Sequence, residues 1–518
     1  MGLQELIQSL SAQQGVVATA AVLLILFSIF KGQKNPRYKL PPGPNPWPVI
    51  GNLHMLGKLP HRNLQALAKK YGPIMSLRLG SVRTVVVSSP EMAKEFLKTQ
   101  DAIFSSRPTT LTGAKYLTYN FKNVAHAPYG PYWRHMKKLC TMELLSPKRI
   151  DSFRSVREEE ISLLVDSLWQ ESEHGKKSVN LTKKLTSLTT SIMCRVIFGR
   201  KYSEDDMTGR KFKEIIQEMN QVAAFFFIGD FVPSLRWIDS KGVLRRVKNV
   251  HKIFDSFAEK VIDEHVERMK INEQKEGRKD FIDVLLEMKE KQSMEIEITR
   301  ENIKALILDM LVGGVDTSAT TLEWAIAELL RNPQIMKRAQ KEIESVVGKD
   351  RRVKESDVPS LEYVQCVMKE TLRLHATSPL LPPHESTEAC TVGGYILPPK
   401  TRLIVNAWAI TTDPAVWEDP LAFNPERFMG KDINLKGQMF DMIPFGSGRR
   451  SCPGVSMALV VLEFTLAQLL HCFEWSLEDI DPQQLDMSEI FALTVARRNP
   501  LYVVPKAKLP DGILGSVV

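Results

Sequence analysis

Cysteine is scarce in this sequence, and none of the six residues forms a Cys-x-x-Cys pair or a regular series. Structural zinc sites and disulfide frameworks need such spacings, so the sequence indicates neither. A Gly-x-Gly-x-x-Gly fingerprint for a flavin or nicotinamide is also missing. The net charge of +9 is spread among acidic residues without a compact Lys/Arg block, so we predict no nucleic-acid partner.

Charge is missing altogether between Glu5 and Lys31, and residues 15–30 are almost wholly apolar. That length can span a bilayer, so we predict a membrane anchor over residues 1–30. A cleaved signal peptide is the alternative, but the chain start lacks its basic residues and no cleavage site follows. Cations at positions 31, 34, 37 and 39 follow the apolar run and favour a single-pass topology with a cytosolic body.

Beyond the anchor the composition is that of a folded protein, with 43% hydrophobic and 25% charged residues. Residues 31–60 form a basic and proline-rich segment that predicts a stiff hinge. Residues 61–518 then remain for one large body. The pattern predicts a helix over 61–71, a hairpin from strands at 74–79 and 83–87, and mostly helix over 148–291.

One cysteine lies in a loop too rich in Gly and Pro to be helix or strand, the stretch PFGSGRRSCPG at residues 444–454. Backbone N–H groups can approach a thiolate in such a loop, which suits a metal ligand. A lone cysteine would more commonly be a buried structural thiol. The loop resembles the haem-binding signature of the cytochrome P450 superfamily, with matching positions at Phe445, Gly448, Arg450, Cys452 and Gly454.

A second motif interrupts the long helix predicted over residues 303–330. Gly313 and Gly314 each cost about 1 kcal/mol relative to Ala in a helix, so a functional reason is expected. With Asp316, Thr317 and Ser318 they resemble the oxygen-side motif of the same family. The resemblance implies that Thr317 donates a hydrogen bond to dioxygen and that Asp316 helps to relay protons. The alternative is a helix kink in which the Thr hydroxyl bonds to a backbone carbonyl.

Further motifs in the family's order extend the resemblance over residues 41–505. They imply a structural charge triad of Glu370, Arg373 and Arg427. They also imply contacts to the haem propionates from Trp133, Lys137 and His384. Lys137 stands where the family commonly has Arg, so a point charge replaces a bidentate group. The apolar run at residues 455–473 is interpreted as a buried helix beneath the haem and not as a second membrane span.

The resemblance is strongest to microsomal plant members that act in specialised metabolism. It implies a mainly α fold with small β-sheets in a single catalytic domain behind the anchor. The cofactor would be haem b, iron protoporphyrin IX with an axial Cys452 thiolate. Electrons would come from NADPH through a separate NADPH–cytochrome P450 reductase, and the protein would sit in the endoplasmic reticulum membrane in contact with lipid.

The predicted function is hydroxylation of a small lipophilic substrate with O2. The segments that line the pocket in this family are mostly apolar here, which favours a neutral terpenoid, with a flavonoid or phenylpropanoid as the alternative. The candidate pocket residues are Phe225, Phe226, Phe227, Asp309, Val312, Gly313, Leu380 and Phe491. Two other functions stay open, a haem-thiolate isomerase or dehydratase, and a membrane-held haem sensor or carrier.

Overall fold

Helices account for most of the structure. The computed structural model describes residues 38–202, 207–223, 227–238, 242–271, 279–291, 296–478 and 480–514, and every structural statement concerns these residues. The helices of the first half are Pro60–Tyr71 (α1), Pro90–Lys94 (α2), Asp101–Phe104 (α3), Thr112–Leu117 (α4), Pro131–Leu139 (α5), Pro147–Ser152 (α6), Arg154–Glu171 (α7), Leu181–Phe198 (α8), Met207–Ala223 (α9) and Val243–Lys270 (α10). Those of the second half are Phe281–Glu290 (α11), Arg300–Gly314 (α12), Asp316–Arg331 (α13), Pro333–Val347 (α14), Glu362–Leu374 (α15), Ala407–Thr411 (α16), Val455–Cys472 (α17) and Asp511–Leu514 (α18).

The strands form small separate sheets. They are Ile74–Leu79 (β1), Val82–Val87 (β2), Val179–Asn180 (β3), His384–Glu385 (β4), Cys390–Val392 (β5), Tyr395–Leu397 (β6), Arg402–Val405 (β7), Phe473–Ser476 (β8), Glu489–Phe491 (β9), Val495–Arg497 (β10) and Tyr502–Ala507 (β11). The largest sheet has the order β1-β2-β7-β4, in which β2 and β7 are parallel and the other pairs antiparallel. A three-stranded sheet has the order β3-β11-β8, and β5-β6 and β9-β10 pair separately.

The β1–β2 hairpin turns at a glycine for a steric reason. Gly80 has φ +60°, and a Cβ there would lie 2.3 Å from the Phe231 carbonyl oxygen. The register pairs Ile74 with Val87 and Leu79 with Val82. The predicted hairpin is therefore present, with the second strand beginning one residue earlier than expected.

Helix α13 is the central element of the core. Its residues from Ser318 to Leu330 are all buried, and it packs against α8, α14, α15 and α17. Helix α17 follows the cysteine-containing loop directly. Within the described residues, Arg300–Arg331 and Val455–Cys472 are each long and apolar enough to cross a membrane, but two thirds of the apolar window of each is buried in the protein. Both are core helices by this criterion, as expected for the second from its place after the loop.

A buried charge triad joins α15 to the chain before the cysteine loop. Glu370 accepts from Arg373 at 2.7 and 2.8 Å and from Arg427 Nε at 3.1 Å. The Glu370 and Arg373 side chains are fully buried, and Arg373 also donates to the carbonyl oxygens of Thr411 and Pro420, both at 2.7 Å. The structure thus brings together the three residues that the sequence motifs link.

We expect Glu370→Ala to destabilise the protein strongly, because two buried guanidinium groups would lose their carboxylate. Removing one partner of a buried ion pair typically costs about 3–5 kcal/mol. The thermal midpoint should fall well below that of the Glu344→Gln control, which removes only the exposed Glu344–Lys349 pair. Equal midpoints for the two variants would contradict a structural role for the triad.

Candidate active site

The loop around Cys452 is held in shape by its own backbone. Cys452 N donates to Phe445 O at 2.9 Å, and Gly446 and Gly448 have φ near +70°. A Cβ on Gly448 would lie 2.1 Å from the Leu97 carbonyl oxygen, so no side chain fits there. The loop therefore folds back on itself and presents the Cys452 sulfur at its inner face, immediately before α17 begins.

The Cys452 thiol faces a cavity of about 350 Å³. Burial raises the pKa of the thiol, while the Gly454 N–H group and the Lys137 ammonium group oppose that rise. The thiolate therefore needs more positive charge than the protein supplies, and a bound metal ion would supply it. A sulfur in this setting is suited to metal ligation.

Four basic side chains line the same cavity. Arg107 is 5% exposed and donates to the carbonyl oxygens of Ala125, Pro382 and Pro383. Arg450 donates to the carbonyl oxygens of Ser105, Val124 and Ala127 at 2.6, 3.1 and 2.5 Å. Lys137 Nζ donates to Ser451 O at 2.7 Å, and His384 Nδ1 lies 2.8 Å from Phe104 O. All four of these basic side chains line the cavity.

These four basic side chains have carbonyl partners but, among the described residues, no carboxylate partner. Burial lowers the pKa of Arg107 to about 9, and burial together with Arg107 lowers that of Arg450 to about 8. Burial, followed by Arg107 as the next cause, also lowers the pKa of His384. The wall of the cavity is therefore short of negative charge. It fits a cofactor that is flat, apolar in its body and anionic at its rim, which is the chemistry of haem b.

Aromatic contact completes this side of the wall. The Arg450 guanidinium lies 4.1 Å from the Trp133 ring centroid, and Trp133 Nε1 donates to Val124 O at 3.0 Å. Trp133 and Phe445 both line the cavity, whereas Gly448 does not and instead packs against Leu97. The predicted cofactor residues Trp133, Lys137, His384, Phe445, Arg450 and Cys452 thus meet at one cavity.

The helix break lies on the same cavity. Helix α12 ends at Gly314 and α13 begins at Asp316, with Val315 at φ −84° and ψ −69°. A Cβ on Gly314 would lie 2.8 Å from the Met193 sulfur, while one on Gly313 would meet nothing within 4 Å. Thr317 Oγ1 donates to Gly313 O at 2.6 Å. The Thr317 hydroxyl must leave that carbonyl before its hydrogen can serve another acceptor.

The two acidic residues predicted near the break occupy different places. Asp309 lines the cavity and accepts from Asn123 Nδ2 and from the backbone N–H groups of Val124 and Ala125. It therefore clamps residues 123–125 to α12. Asp316 is not a lining residue, and its carboxylate accepts a hydrogen bond from Thr494.

The candidate substrate residues divide similarly. Gly313 and Asp309 line the cavity, whereas Val312, Leu380, Phe491 and Phe227 are not among its lining residues. Phe491 instead stacks on His61 with ring centroids 5.9 Å apart. Phe225 and Phe226 lie outside the described residues. The rest of the described lining includes small, apolar and hydroxyl side chains, namely those of Val124, Ala125, Met310, Thr377, Ser378 and Leu381.

Of the four basic side chains that line the cavity, Arg107 is the one that sequence motifs did not assign to the cofactor. It stands alone between Ser106 and Pro108, without the fixed spacing that marks Arg450 or Trp133. Its three carbonyl partners come from segments 18 to 276 residues away. Its full burial among uncharged partners is a tertiary property, so a motif search had no signal to use.

Comparison with known proteins agrees with this geometry. The family model described as Cytochrome P450 matches residues 41–503. The chain belongs to the cytochrome P450 family. Cytochrome P450 750A1 of Pinus taeda is 48% identical over 507 residues, which are 96% of each chain. Flavonoid 3'-monooxygenase CYP75B137 of Crocosmia x crocosmiiflora is 42% identical over 495 residues, 94% of this chain and 96% of that one. A solved zebra fish cytochrome P450 structure with abiraterone has a TM-score of 0.74 at 28% identity, covering 87% of this chain and all of the other.

As a P450 monooxygenase, the protein uses haem held by a cysteine thiolate, dioxygen, a lipophilic substrate and electrons from a redox partner. Bound haem supplies the oxygen reduction and C–H oxidation, and thiolate ligation favours O–O cleavage. The expected fold, helical with small sheets in a single catalytic domain, is confirmed.

We expect Cys452→Ala to lose the far red-shifted Soret band of the reduced carbon monoxide complex, because that band depends on thiolate ligation. Any haem that remains should show an unshifted band. Cys472→Ala is the control, since Cys472 is fully buried in α17 and does not line the cavity. Persistence of the shifted band in Cys452→Ala would assign the ligand elsewhere.

The Asp309 clamp predicts a pH dependence of stability. Burial raises the pKa of Asp309 from 3.8 to about 6, although three hydrogen-bond donors oppose the shift. In the unfolded chain the group ionises near pH 4, so the free energy of unfolding should fall as pH rises from about 4 to about 6, by up to about 3 kcal/mol. Asp309→Asn should remove this fall. Parallel pH profiles of the thermal midpoint for the two proteins would contradict the assignment.

Proposed function

We propose that this P450 hydroxylates a neutral, compact, lipophilic plant specialised metabolite, and that the substrate is a terpenoid. Cys452 would provide the thiolate that holds the haem. Arg107, Lys137, Arg450 and His384 would hold its propionates, with Trp133 packed beside Arg450. Once the cofactor pairs with these basic side chains, few charged groups of the cavity lining remain to bind a substrate. Gly313, Gly314 and Thr317 of the helix break line the same cavity, where the substrate would be oxidised.

The observation that carries the proposal is the character of the cavity lining beyond the Cys452 loop and the four basic side chains. Its one described acid, Asp309, already accepts from three donors, so a second buried carboxylate on a substrate would lack a partner. The aromatic residues that line the described cavity, Trp133 and Phe445, belong to the side built around Cys452. An aliphatic substrate such as a terpenoid therefore suits the remaining lining better than a flat aromatic one.

A flavonoid or phenylpropanoid is the second candidate. A relative named flavonoid 3'-monooxygenase is 42% identical over nearly the whole chain. The hydroxyl groups of Thr377 and Ser378 on the wall offer hydrogen bonds to phenolic oxygens. Neither candidate needs a charged pocket.

Thr317 and Asp316 are proposed to deliver protons during oxygen activation. The Thr317 hydroxyl lies at the opened turn of the helix, where it donates to Gly313 O at 2.6 Å, and it would exchange that acceptor for another during proton delivery. Asp316 is the adjacent residue and can take up and release a proton. Gly313 leaves the cavity open beside them, because no heavy atom lies within 4 Å of where its Cβ would be.

We expect a turnover screen with reductase and NADPH to favour terpenoids. The panel should compare mono-, sesqui- and diterpenoids with flavonoids and free phenolic acids, measuring product and the substrate-induced spectral shift. Gly313→Ala is the matched variant, since the added methyl group enters the cavity and should lower turnover of the larger substrates first. Preference for flavonoids would select the second candidate. Preference for a free acid would contradict both.

We further propose that residues 1–30 anchor the protein in the endoplasmic reticulum membrane, that residues 31–60 form the hinge, and that residues 61–518 form a cytosolic catalytic domain served by NADPH–cytochrome P450 reductase. The uncharged stretch before Lys31 supports the anchor. Its predicted location lies outside the described residues.

A chain that begins at Pro41 should lose integral membrane attachment and keep its haem spectrum, because the apolar stretch is gone and the cavity residues remain. Carbonate extraction of membranes measures the attachment, with the full chain as control. If the shortened chain still resists extraction, a second membrane contact exists and the single-anchor topology is wrong.

A further inference from the structure

The Asp316 carboxylate is held by a residue from a distant part of the chain. Asp316 is the first residue of α13, directly after the break at Val315. Its Oδ2 accepts a hydrogen bond of 2.6 Å from the Thr494 hydroxyl. Thr494 lies between β9 and β10 and is 4% exposed. A buried hydroxyl has one hydrogen to donate, so this bond sets the orientation of both side chains.

The turn that carries Thr494 is fixed on two sides. Trp324 Nε1, on α13, donates to Val495 O at 3.1 Å. Val495 N donates to Thr377 O at 2.9 Å, and Thr377 lines the cavity. Ala492 N donates to Thr494 O at 3.1 Å and closes the turn. The backbone next to Thr494 is therefore hydrogen-bonded both to α13 and to Thr377 of the cavity lining, which sets the position of the Thr494 hydroxyl relative to α13.

Among the described side chains near this bond, Thr494 is the one that donates a hydrogen bond to Asp316, and the charged neighbours are engaged elsewhere. Glu323 lies on the same helix, and the negative charge of Asp316 adds to the burial that raises the pKa of Glu323. Arg497 pairs with Glu323 at 3.4 Å and donates to Asp486 O at 2.8 Å, so its guanidinium is engaged there. Repulsion between the two carboxylates would otherwise favour other rotamers of Asp316.

We propose that Thr494 is a positioning residue for proton delivery through Asp316. Its hydrogen bond occupies Oδ2 and leaves Oδ1 to accept a proton from solvent and release it toward Thr317. The carboxylate returns to its ionised form after each transfer, and no redox change occurs at either residue. Because the bond fixes the rotamer, Oδ1 keeps one place relative to Thr317. The inference rests on the proposed role of Asp316 and adds the residue that holds it.

The test compares Thr494→Val, which keeps the shape and removes the hydroxyl, with Thr494→Ser, which restores the hydroxyl. Limonene is the probe with the full chain and reductase, or naringenin if the screen favours flavonoids. We expect Thr494→Val to raise peroxide released per NADPH by roughly threefold to tenfold, the change expected when the net contribution of one hydrogen bond is lost. Thr494→Ser should return the ratio near wild type.

Readouts other than NADPH-driven turnover separate positioning from general damage. Thr494→Val should keep the shifted carbon monoxide band, the dissociation constant for limonene and turnover driven by cumene hydroperoxide, which bypasses proton delivery. Thr186→Val is the control, because Thr186 Oγ1 donates to a helix carbonyl away from the cavity. If Thr494→Val lowers the yield of holoprotein, Thr494→Ala, which frees space, replaces it in every comparison.

The double variant Thr494→Val/Asp316→Asn distinguishes the two proposals. If Thr494 acts through Asp316, the double variant should be no more uncoupled than Asp316→Asn alone. A wild-type ratio in Thr494→Val beside an uncoupled Asp316→Asn would overturn the positioning role and leave the relay intact. Additive uncoupling, or failure of Thr494→Ser to restore the ratio, would also overturn it. A wild-type ratio in Asp316→Asn would instead remove Asp316 from the relay.

Discussion

The cost of burying charge governs the arrangement of this active site. Arg107 and Arg450 lie inside the protein with carbonyl groups as their partners, and each pKa is lowered by burial. Six carbonyl oxygens accept hydrogen bonds from these two guanidinium groups, and they belong to three segments, at residue 105, residues 124–127 and residues 382–383. The residues between α3 and α5 are thereby drawn to the cavity rim. The anionic rim of haem would supply the opposite charge that the protein lacks there.

Asp309 holds the other end of the same segment. Its carboxylate gathers the Asn123 side chain and two backbone N–H groups, so residues 123–125 are fixed to α12 on one side and to Arg107 and Arg450 on the other. A buried carboxylate can be satisfied by three donors even without a cation. The polar and charged groups that shape the pocket wall are consequently paired with one another. The remaining lining of the cavity is largely apolar.

The opened helix illustrates a different balance. Two glycines weaken the helix, but Gly314 admits the Met193 side chain and Gly313 leaves free volume in the cavity. Thr317 then bonds to Gly313 O across the opened turn. The kink that the sequence motif allowed as an alternative, with the Thr317 hydroxyl bonded to a backbone carbonyl, is therefore present. The role of Thr317 in oxygen activation stays a prediction. Thr494, in the turn between β9 and β10, donates a hydrogen bond to Asp316. The first residue of α13 is thereby bonded to a segment that is distant in sequence.

The sequence alone determined the elements whose cause is local. Glycine and proline spacing around Cys452 marked the loop, and apolar runs placed α12, α13 and α17 to within a few residues of their observed bounds. Two β-rich runs on either side of Gly80 and Ser81 likewise identified β1 and β2. Only the tertiary structure decided which side chains share the cavity, because that depends on contacts between segments hundreds of residues apart. It placed Arg107 at the rim and Phe491 away from the wall, and it joined Thr494 to Asp316 across 178 positions. Such contacts depend on where whole elements pack, and no local pattern of residue types records that packing.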